Sequence, residues 1–347
     1  MEKIRIKNLI ISENNPPPLI AEIGINHGGS LSLAKKMAKL AVDSGANIIK
    51  HQTHIIEDEM SKEADSFKIS YVNQSIYEIM KRCALSKENE HNLKEYIEKD
   101  LKSIFISTPF SRKAANFLNE LKVPMFKIGS GECNNYPLIE HIAKFKKPII
   151  LSTGMNSLES ISISVNIIRK YRTPLYLMHT TNSYPCPDKD IGLNCIGILS
   201  NHFQNKIPVG YSDHSVGELA IQGATALGAR ILEKHFTDSL NRKGPDIECS
   251  MDPKMCKNIS NSIKRIFYMK KGYKKMATVE KEVAKFAFAS VCSIKPIKKG
   301  EKLSKKNIWV KRPGTGDFLA VSYNSLLGKT ALKDIKENSQ IKKKHIG

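Results

Sequence analysis

The sequence predicts a (β/α)8 barrel followed by a small β-rich domain. Between Leu19 and Phe236, eight short apolar stretches each end on residues that can bind charge, protons or metal. Between these stretches, apolar residues recur at helical spacing, as at Leu33, Met37 and Leu40. In such a barrel the carboxyl ends of the strands face one shared site, so polar residues that recur there are typical of an enzyme.

Each predicted strand ends in a run that contains polar or charged side chains. In chain order the runs are Ala21-Glu22, Ile49-Lys50, Ile106-Ser107-Thr108, Lys127-Ile128-Gly129-Ser130, Leu151-Ser152-Thr153, Met178-His179-Thr180, Ser212-Asp213-His214 and Glu233-Lys234-His235. The connection after the second strand is longer than one helix requires. It predicts a loop over the barrel mouth from about His54 to Ile76.

The length of 347 residues accommodates one barrel and a small additional domain. We predict a catalytic barrel over residues 1–275, a linker over 276–285 and a β-rich domain over 286–347. Within the last range, Ser290–Ile294 and Ile308–Val310 are strand-like and are separated by turn-forming residues.

The start of the chain has no signal-peptide pattern, and the sequence contains no apolar run of about 18 residues. The seven cysteines are odd in number and include no Cys-x-x-Cys pair. We therefore expect reduced thiols rather than disulfides or a zinc site. Together these features predict a cytoplasmic protein without a membrane partner.

The formal charge of +21 raises the possibility of a nucleic-acid partner. However, 46 of the 55 basic residues are Lys and only nine are Arg, and Arg is the residue suited to bidentate contacts with bases and phosphates. We therefore expect a solvated Lys surface and no nucleic acid. A non-catalytic basic barrel that binds nucleic acid or anionic glycans is the alternative from a different functional class.

Four runs of the sequence resemble the bacterial sialic acid synthases. They read AEIGINHG from Ala21, KHQTH from Lys50, KIGSGECNN from Lys127 and VKRPG from Val310. The matching segments follow in the same order over nearly the whole chain. The resemblance implies a TIM barrel joined to a C-terminal antifreeze-like (SAF) domain. It also implies an enzyme that condenses phosphoenolpyruvate with N-acetylmannosamine and water, giving N-acetylneuraminic acid and phosphate.

His214 and His235 end the seventh and eighth predicted strands, which are neighbours in the barrel. Two imidazoles can hold an open, catalytic divalent ion together with substrate oxygens and water. The resemblance implies Mn²⁺, with Mg²⁺ or Co²⁺ as alternatives, acting as a Lewis acid on the sugar aldehyde. Two packed or surface histidines without a metal are the alternative interpretation.

Phosphoenolpyruvate carries a phosphate and a carboxylate, and both need several fixed hydrogen-bond donors. Lysines within apolar strands suit this role, because an unpaired buried ammonium is costly. By resemblance the residues that hold phosphoenolpyruvate are Lys50, Thr108, Lys127, Ser130, Ser152, Asn182 and Ser212. For any single Ser or Thr, a role in a cap or turn is the alternative.

Glu22 and Glu132, on predicted strands one and four, are the candidate catalytic carboxylates. Salt bridges to Lys50 or Lys127 are compatible with that role or could replace it. By resemblance the amino sugar contacts Gln52, Tyr184, Asp246 and Arg312. Asp246 lies in a turn-prone segment, so a purely local turn role is its alternative.

Arg312 lies in the small domain, yet it belongs to a matching run. The resemblance implies a domain-swapped homodimer in which Arg312 reaches the active site of the other subunit; a surface Arg in a turn is the alternative. One departure from the family is Ile69-Ser70-Tyr71, where other members carry Pro-Gly-Asn.

Related synthases make legionaminic and pseudaminic acids from 2,4-diacetamido sugars on the same scaffold. The runs His51-Gln52-Thr53-His54-Ile55 and Phe286-Ala287-Phe288-Ala289-Ser290 favour the sialic acid branch. The sequence therefore ranks N-acetylneuraminate synthase first and legionaminic or pseudaminic acid synthase second.

Overall fold

The structure is a computed structural model that describes residues 4–7, 9–66 and 75–347. The chain forms two compact units, which divide in sequence between Lys271 and Gly272. The departure noted at Ile69-Ser70-Tyr71 lies outside the described residues.

The first unit contains the predicted barrel. The described strands of the chain are β1 (Ile4–Ile6), β2 (Leu9–Ile11), β3 (Leu19–Glu22), β4 (Ile48–Thr53), β5 (Ile104–Pro109), β6 (Phe126–Ile128), β7 (Ile149–Ser152), β8 (Leu175–His179), β9 (Val209–Asp213), β10 (Leu232–His235), β11 (Ser290–Ser293) and β12 (Ile308–Lys311). Parallel pairing closes a barrel in the order β10-β3-β4-β5-β6-β7-β8-β9. The predicted eight-stranded barrel is confirmed.

Helices follow the strands. The described α-helices are α1 (Leu31–Asp43), α2 (Ile56–Glu59), α3 (Ile76–Cys83), α4 (Lys87–Glu95), α5 (Arg112–Glu120), α6 (Tyr136–Ala143), α7 (Leu158–Lys170), α8 (Cys195–His202), α9 (Leu219–Leu227), α10 (Pro253–Met269), α11 (Lys281–Ala287) and α12 (Tyr323–Leu326). Ser30, Ser86 and Ser111 cap α1, α4 and α5 by accepting a backbone N–H of the first turn. Such caps satisfy N–H groups that have no partner within the helix.

Side chains alternate between the inner and outer faces of the barrel strands. Ile20, Ile48 and Ile104 belong to an apolar cluster inside the barrel. Their neighbours Leu19 and Ile49 belong to a second cluster that includes helix residues. This period of two is the strand geometry that decides which polar residues can face a common site.

The hairpin of β1 and β2 was not predicted. Its antiparallel pairing places Ile6 and Ile11, each 2% exposed, in the same interior cluster as Ile20. The interior is therefore apolar toward the amino-terminal end of the strands. Polar side chains inside the barrel gather at the opposite, carboxyl end.

The second unit has its own small core. Strands β11 and β12 pair antiparallel with Cys292 opposite Trp309, and Val291 and Ile308 are fully buried in the apolar cluster of this unit. The two strand-like runs predicted here are strands in the structure. Helix α11 occupies part of the predicted linker.

None of the described helices is both long and apolar enough to cross a membrane. All seven cysteines lie in the described part of the chain, and they are free thiols.

Candidate active site

Strand ends and the loops after them line a cavity of about 130 Å³ at the carboxyl end of the barrel. The predicted site residues in its wall are Lys50, Gln52, Thr108, Lys127, Ser130, Ser152, Asn182, Tyr184, Ser212, His214 and His235. The fold thus brings all the predicted phosphoenolpyruvate donors together with both candidate metal ligands.

Strand alternation explains this convergence. On β4, Lys50 and Gln52 follow the inward-facing Ile48 at intervals of two residues. On β10, His235 likewise faces the cavity, two residues after Glu233. Because parallel strands end at the same edge, side chains from distant parts of the sequence meet there.

Glu233 is the centre of the charged network in the cavity. Its Oε1 atom lies 3.0 Å from Lys127 Nζ and 3.6 Å from Lys50 Nζ. The same atom accepts a hydrogen bond from Ser212 Oγ at 3.1 Å. Burial alone would raise the pKa of Glu233, but the charges of Lys127 and Lys50 outweigh it and lower the pKa to about 2. This carboxylate is therefore ionised at neutral pH.

Glu233 was missing from the predicted site residues. The run Glu233-Lys234-His235 was noted, but only its last residue was assigned to the site. The available signal was the period of two, since a strand that turns His235 inward also turns Glu233 inward.

Lys50 contacts a second carboxylate, that of Glu22. The two side chains form an ion pair, and Lys50 Nζ also donates to Thr108 Oγ1 at 3.3 Å. Glu22 is fully buried and accepts a further hydrogen bond from the backbone N–H of Gly24 at 2.7 Å. Burial lowers the pKa of Lys50 to about 7, although Glu233 opposes the shift. The salt bridge considered for Glu22 is present, and it sets this carboxylate beside a cavity lysine.

Several buried polar atoms of the cavity wall have no hydrogen-bond partner among the described residues. They are Ser152 Oγ, Asn182 Oδ1, Glu233 Oε2 and His235 Nδ1. Buried polar atoms are nearly always paired with protein or water. Their grouping in one cavity indicates a surface built to contact a polar ligand.

His214 and His235 lie side by side, with ring centroids 5.6 Å apart. His214 Nδ1 lies 2.9 Å from the carbonyl oxygen of Thr181; a carbonyl only accepts, so Nδ1 carries the proton and Nε2 keeps its lone pair. Burial lowers the pKa of His214 to about 4. Burial and then the neighbouring His214 lower the pKa of His235 far below its ordinary value.

Two neutral imidazoles fit a divalent transition-metal ion, which binds the unprotonated nitrogen. No group of three or more His, Cys, Asp or Glu in the described ranges is arranged to hold a metal by itself. Substrate oxygens or water would therefore have to complete the coordination of an ion held by His214 and His235.

Tyr184 and Asp246 border the two histidines. The Tyr184 ring stacks on His214 with centroids 4.2 Å apart, and Asp246 Oδ2 lies 3.6 Å from His235 Nδ1. Burial raises the pKa of Asp246 to about 6, against a hydrogen bond with the backbone of Ile25. Asp246 is thus beside the metal-ligand candidates rather than in an isolated turn.

Glu22 is not among the described residues of the cavity wall, but it pairs with Lys50, which is. Glu132 is not part of that wall either, although both carboxylates are expected to face one mouth. It lies in the 3-10 turn Ser130–Glu132 after β6 and lines a neighbouring pocket with Glu59 and Arg112. Its Oε2 atom accepts from Asn135 Nδ2 at 2.5 Å, and burial raises its pKa against that bond. The turn takes the side chain away from the cavity.

Arg312 lies in the second unit, directly after β12. Its guanidinium carbon is 5.9 Å from the centre of the Phe286 ring, which is 68% exposed. This contact lies within the second unit. The predicted contact of Arg312 with a sugar stays a prediction.

Comparison with known proteins finds a family model that matches each of the two units. The NeuB family model matches residues 37–275, and the SAF domain model matches residues 288–347.

Individual relatives are similar over most of the chain. An N,N'-diacetyllegionaminic acid synthase from Campylobacter jejuni is 37% identical over 93% of this chain and 98% of the relative. An N-acetylneuraminate-9-phosphate synthase from Drosophila melanogaster is 34% identical over 71% of this chain and 66% of the relative. The crystal structure of N-acetylneuraminic acid synthetase from Leptospira borgpetersenii, a citrate complex, is 33% identical with a TM-score of 0.74; the match covers 81% of this chain and 95% of that chain.

Proposed function

The chain belongs to the NeuB family, whose members condense phosphoenolpyruvate with sugars, and we propose that it joins phosphoenolpyruvate to an N-acetylated amino sugar. One observation carries the proposal: two buried lysines, a set of hydroxyl and amide groups and two neutral imidazoles share one cavity. The products would be a nine-carbon 2-keto acid and inorganic phosphate.

Phosphoenolpyruvate is the substrate that suits the lysines. A lysine ammonium has three N–H donors, so Lys50 and Lys127 can each keep a carboxylate partner and still donate to a phosphate or carboxylate. Ser152 Oγ, which has no partner among the residues that the structure describes, and the hydroxyl of Ser130 can add directional hydrogen bonds. A site with several fixed donors stabilises the charge that develops when phosphate leaves.

When bound, Mn²⁺ would act as a Lewis acid on the open-chain sugar aldehyde. His214 and His235 would hold it through unprotonated nitrogens, and Tyr184, packed on His214, would limit the movement of that ring. Carbon 3 of phosphoenolpyruvate would attack the aldehyde carbon. Water would then add at carbon 2, and phosphate would leave by cleavage of the C–O bond.

Lys50 and Glu22 are suited to moving protons in this sequence. The pKa of Lys50, about 7 because of burial, lies near neutral pH, where a proton-transfer group is most effective. Glu22 contacts the ammonium directly and can stabilise its charged form. We assign proton transfer to this pair, whereas Glu132 lines the neighbouring pocket.

The relatives favour a 2,4-diacetamido sugar as the second substrate. The sequence runs alone rank N-acetylmannosamine first. The legionaminic acid synthase aligns over 93% of this chain, and the fly N-acetylneuraminate-9-phosphate synthase over 71%. We therefore rank legionaminic acid synthesis first. The Leptospira synthetase, matched over 95% of its length, keeps N-acetylmannosamine as the second candidate.

We also propose a homodimer in which Arg312 completes the sugar site of the other subunit. Exposed apolar residues of the second unit support an association surface, including Phe286 at 68% and Phe288 at 52% exposure. The free thiols fit a reducing, cytoplasmic setting. Mixing inactive Arg312→Ala and His235→Ala chains should restore part of the activity, because a swapped heterodimer has one intact site.

The decisive assay measures phosphate release from phosphoenolpyruvate with Mn²⁺ and either a 2,4-diacetamido sugar or N-acetylmannosamine. We expect release with the diacetamido sugar at the higher kcat/KM, and a 2-keto acid product by mass spectrometry. Faster release with N-acetylmannosamine would reverse the ranking. Release with neither sugar, together with tight and salt-sensitive DNA binding, would instead support the non-catalytic basic barrel.

A further inference from the structure

A fully buried ion pair lies behind the two candidate metal ligands. Lys234 Nζ and Asp213 Oδ2 are 2.7 Å apart, and both side chains are 0% exposed. Lys234 and Asp213 are direct neighbours in the register of β10 and β9. Their side chains point to the outer face of the barrel, since His214 and His235, one residue further on, line the inner cavity.

The pair also holds the residue that follows His214. Asp213 Oδ1 accepts from the backbone N–H of Ser215 at 3.0 Å and from its hydroxyl at 2.7 Å. Lys234 Nζ donates to the backbone carbonyl of Ser215 at 2.7 Å. All three polar groups of Ser215 are therefore bound to one ion pair, and the third donor to Asp213 Oδ1 is the hydroxyl of Tyr211 at 3.1 Å.

These contacts fix both histidines from behind. His214 lies between Asp213 and Ser215, so the backbone on either side of it is held by the pair. His235 follows Lys234 directly, so the same ammonium anchors the end of β10. A single buried contact thereby links the positions of the two imidazoles across neighbouring strands.

Stability alone does not account for such an arrangement. Replacing a buried ion pair with apolar residues of similar volume is often neutral or stabilising, because two charges no longer have to be removed from water. Apolar side chains, however, have no donor or acceptor for Ser215. The ion pair thus supplies hydrogen bonds that set the turn around His214.

We propose that Asp213 and Lys234 are positioning residues for the metal ion, and that they set the separation of His214 and His235. The proposal rests on the proposed metal-dependent function. A site with only two protein ligands depends strongly on their placement, and changes to groups that orient metal ligands typically weaken metal affinity by about 10- to 100-fold. We expect a loss of that size when the pair is removed.

The test replaces both charges together, because one unpaired buried charge would by itself destabilise the barrel. The variant is Asp213→Leu with Lys234→Met, in which the Leu side chain branches at the same carbon as Asp. A second variant, Asp213→Asn with Lys234→Met, keeps an acceptor for the Ser215 N–H. The matched control is Lys39→Met with Asp43→Leu, which removes an exposed ion pair of 2.6 Å on α1.

Mn²⁺ affinity is measured on the full chain without substrates, from the electron paramagnetic resonance signal of free Mn²⁺. Thermal melting of each variant without metal shows whether it is folded. We expect the Leu/Met variant to fold, to bind Mn²⁺ about 10- to 100-fold more weakly, and to recover kcat when Mn²⁺ is raised in proportion. The Asn/Met variant should lose less affinity, and the α1 control should match the wild type.

Folded Leu/Met protein with wild-type Mn²⁺ affinity would overturn the positioning role while leaving the metal site intact. If neither pair variant folds, the ion pair serves folding and the proposal is also overturned. If the wild type binds no Mn²⁺, or if His214→Ala binds it equally well, the metal site itself fails. That last result is distinguishable, because it is obtained without changing Asp213 or Lys234.

Discussion

The barrel strands carry polar side chains on both faces of their carboxyl ends, and the two faces differ in how those groups are paired. On the inner face, Ser152 and Glu233, together with Asn182 in the loop after β8, each leave a buried atom without a partner in the described residues. On the outer face, Asp213 and Lys234 satisfy each other within the protein. The inner groups are therefore free to contact a ligand, whereas the outer groups hold the scaffold.

A second outer cluster follows the same pattern with one exception. Thr53 Oγ1, on β4, donates to Glu90 Oε2 of α4 at 2.7 Å, and it lies 2.7 Å from the hydroxyl of Ser107 on β5. His51 Nδ1 lies 3.6 Å from Glu90 and has no hydrogen-bond partner within the described part of the chain. These contacts tie two strands to one helix.

The largest expected effect is on the inner face, at the imidazoles. His214→Ala or His235→Ala should lower Mn²⁺-dependent turnover by at least about 1000-fold, since a metal contributes several kcal/mol to such a reaction. Phosphate release measures the loss, and thermal melting should show little change in stability. His202→Ala, on the exposed end of α8, is the matched control. Normal activity in both cavity variants would refute the metal assignment.

A smaller effect is expected at a cavity lysine. Lys127→Met should reduce kcat/KM for phosphoenolpyruvate by about 10- to 100-fold, because a hydrogen bond to a charged group contributes about 1.5–3 kcal/mol. Steady-state kinetics at varied phosphoenolpyruvate concentration provide the measurement. The exposed Lys257→Met should leave kcat/KM unchanged. Equal kinetics for the two variants would exclude Lys127 from phosphoenolpyruvate binding.

The alternation between faces also explains how far the sequence could be interpreted. Eight apolar stretches with polar ends were enough to predict the barrel, because strand ends in this fold share one edge. Glu233 and Lys234, however, are adjacent charged residues with opposite placements: Glu233 lines the cavity and Lys234 pairs outside it. Composition at a strand end therefore predicts that a site exists, and only the strand register decides which residues enter it.

Other features depend on tertiary contacts that local patterns do not encode. The burial of Ile6 and Ile11 in the barrel interior could not be derived from two short apolar runs. Glu132 belongs to a motif next to a strand end, but a single 3-10 turn moves it to a neighbouring pocket. The motifs predicted which residues follow each strand and in which order. The direction of each side chain depends on how the backbone turns after the strand, which the motifs do not show.

The smallest expected effect is on the outer face and concerns stability rather than turnover. Glu90 is 1% exposed, and burial raises its pKa to about 8 against the hydrogen bond from Thr53. In the unfolded chain the pKa of a Glu is about 4.3, so the folded protein binds this proton more tightly. The stabilising contribution of the bound proton is complete below about pH 4.3, the pKa of Glu in the unfolded chain. It is lost as the pH rises toward 8.

Glu90→Gln keeps the shape of the side chain but cannot ionise. From pH 5 to pH 8, the free energy of unfolding of the wild type should therefore fall relative to that of the variant, by at most about 1.4 kcal/mol per pH unit. Urea unfolding at several pH values measures the difference, in which other titrating groups largely cancel. Exposed Glu88→Gln on the same helix should run parallel to the wild type. A Glu90→Gln curve that is also parallel, or a large loss of turnover at pH 7, would mean that the outer cluster does more than hold β4 and β5 to α4.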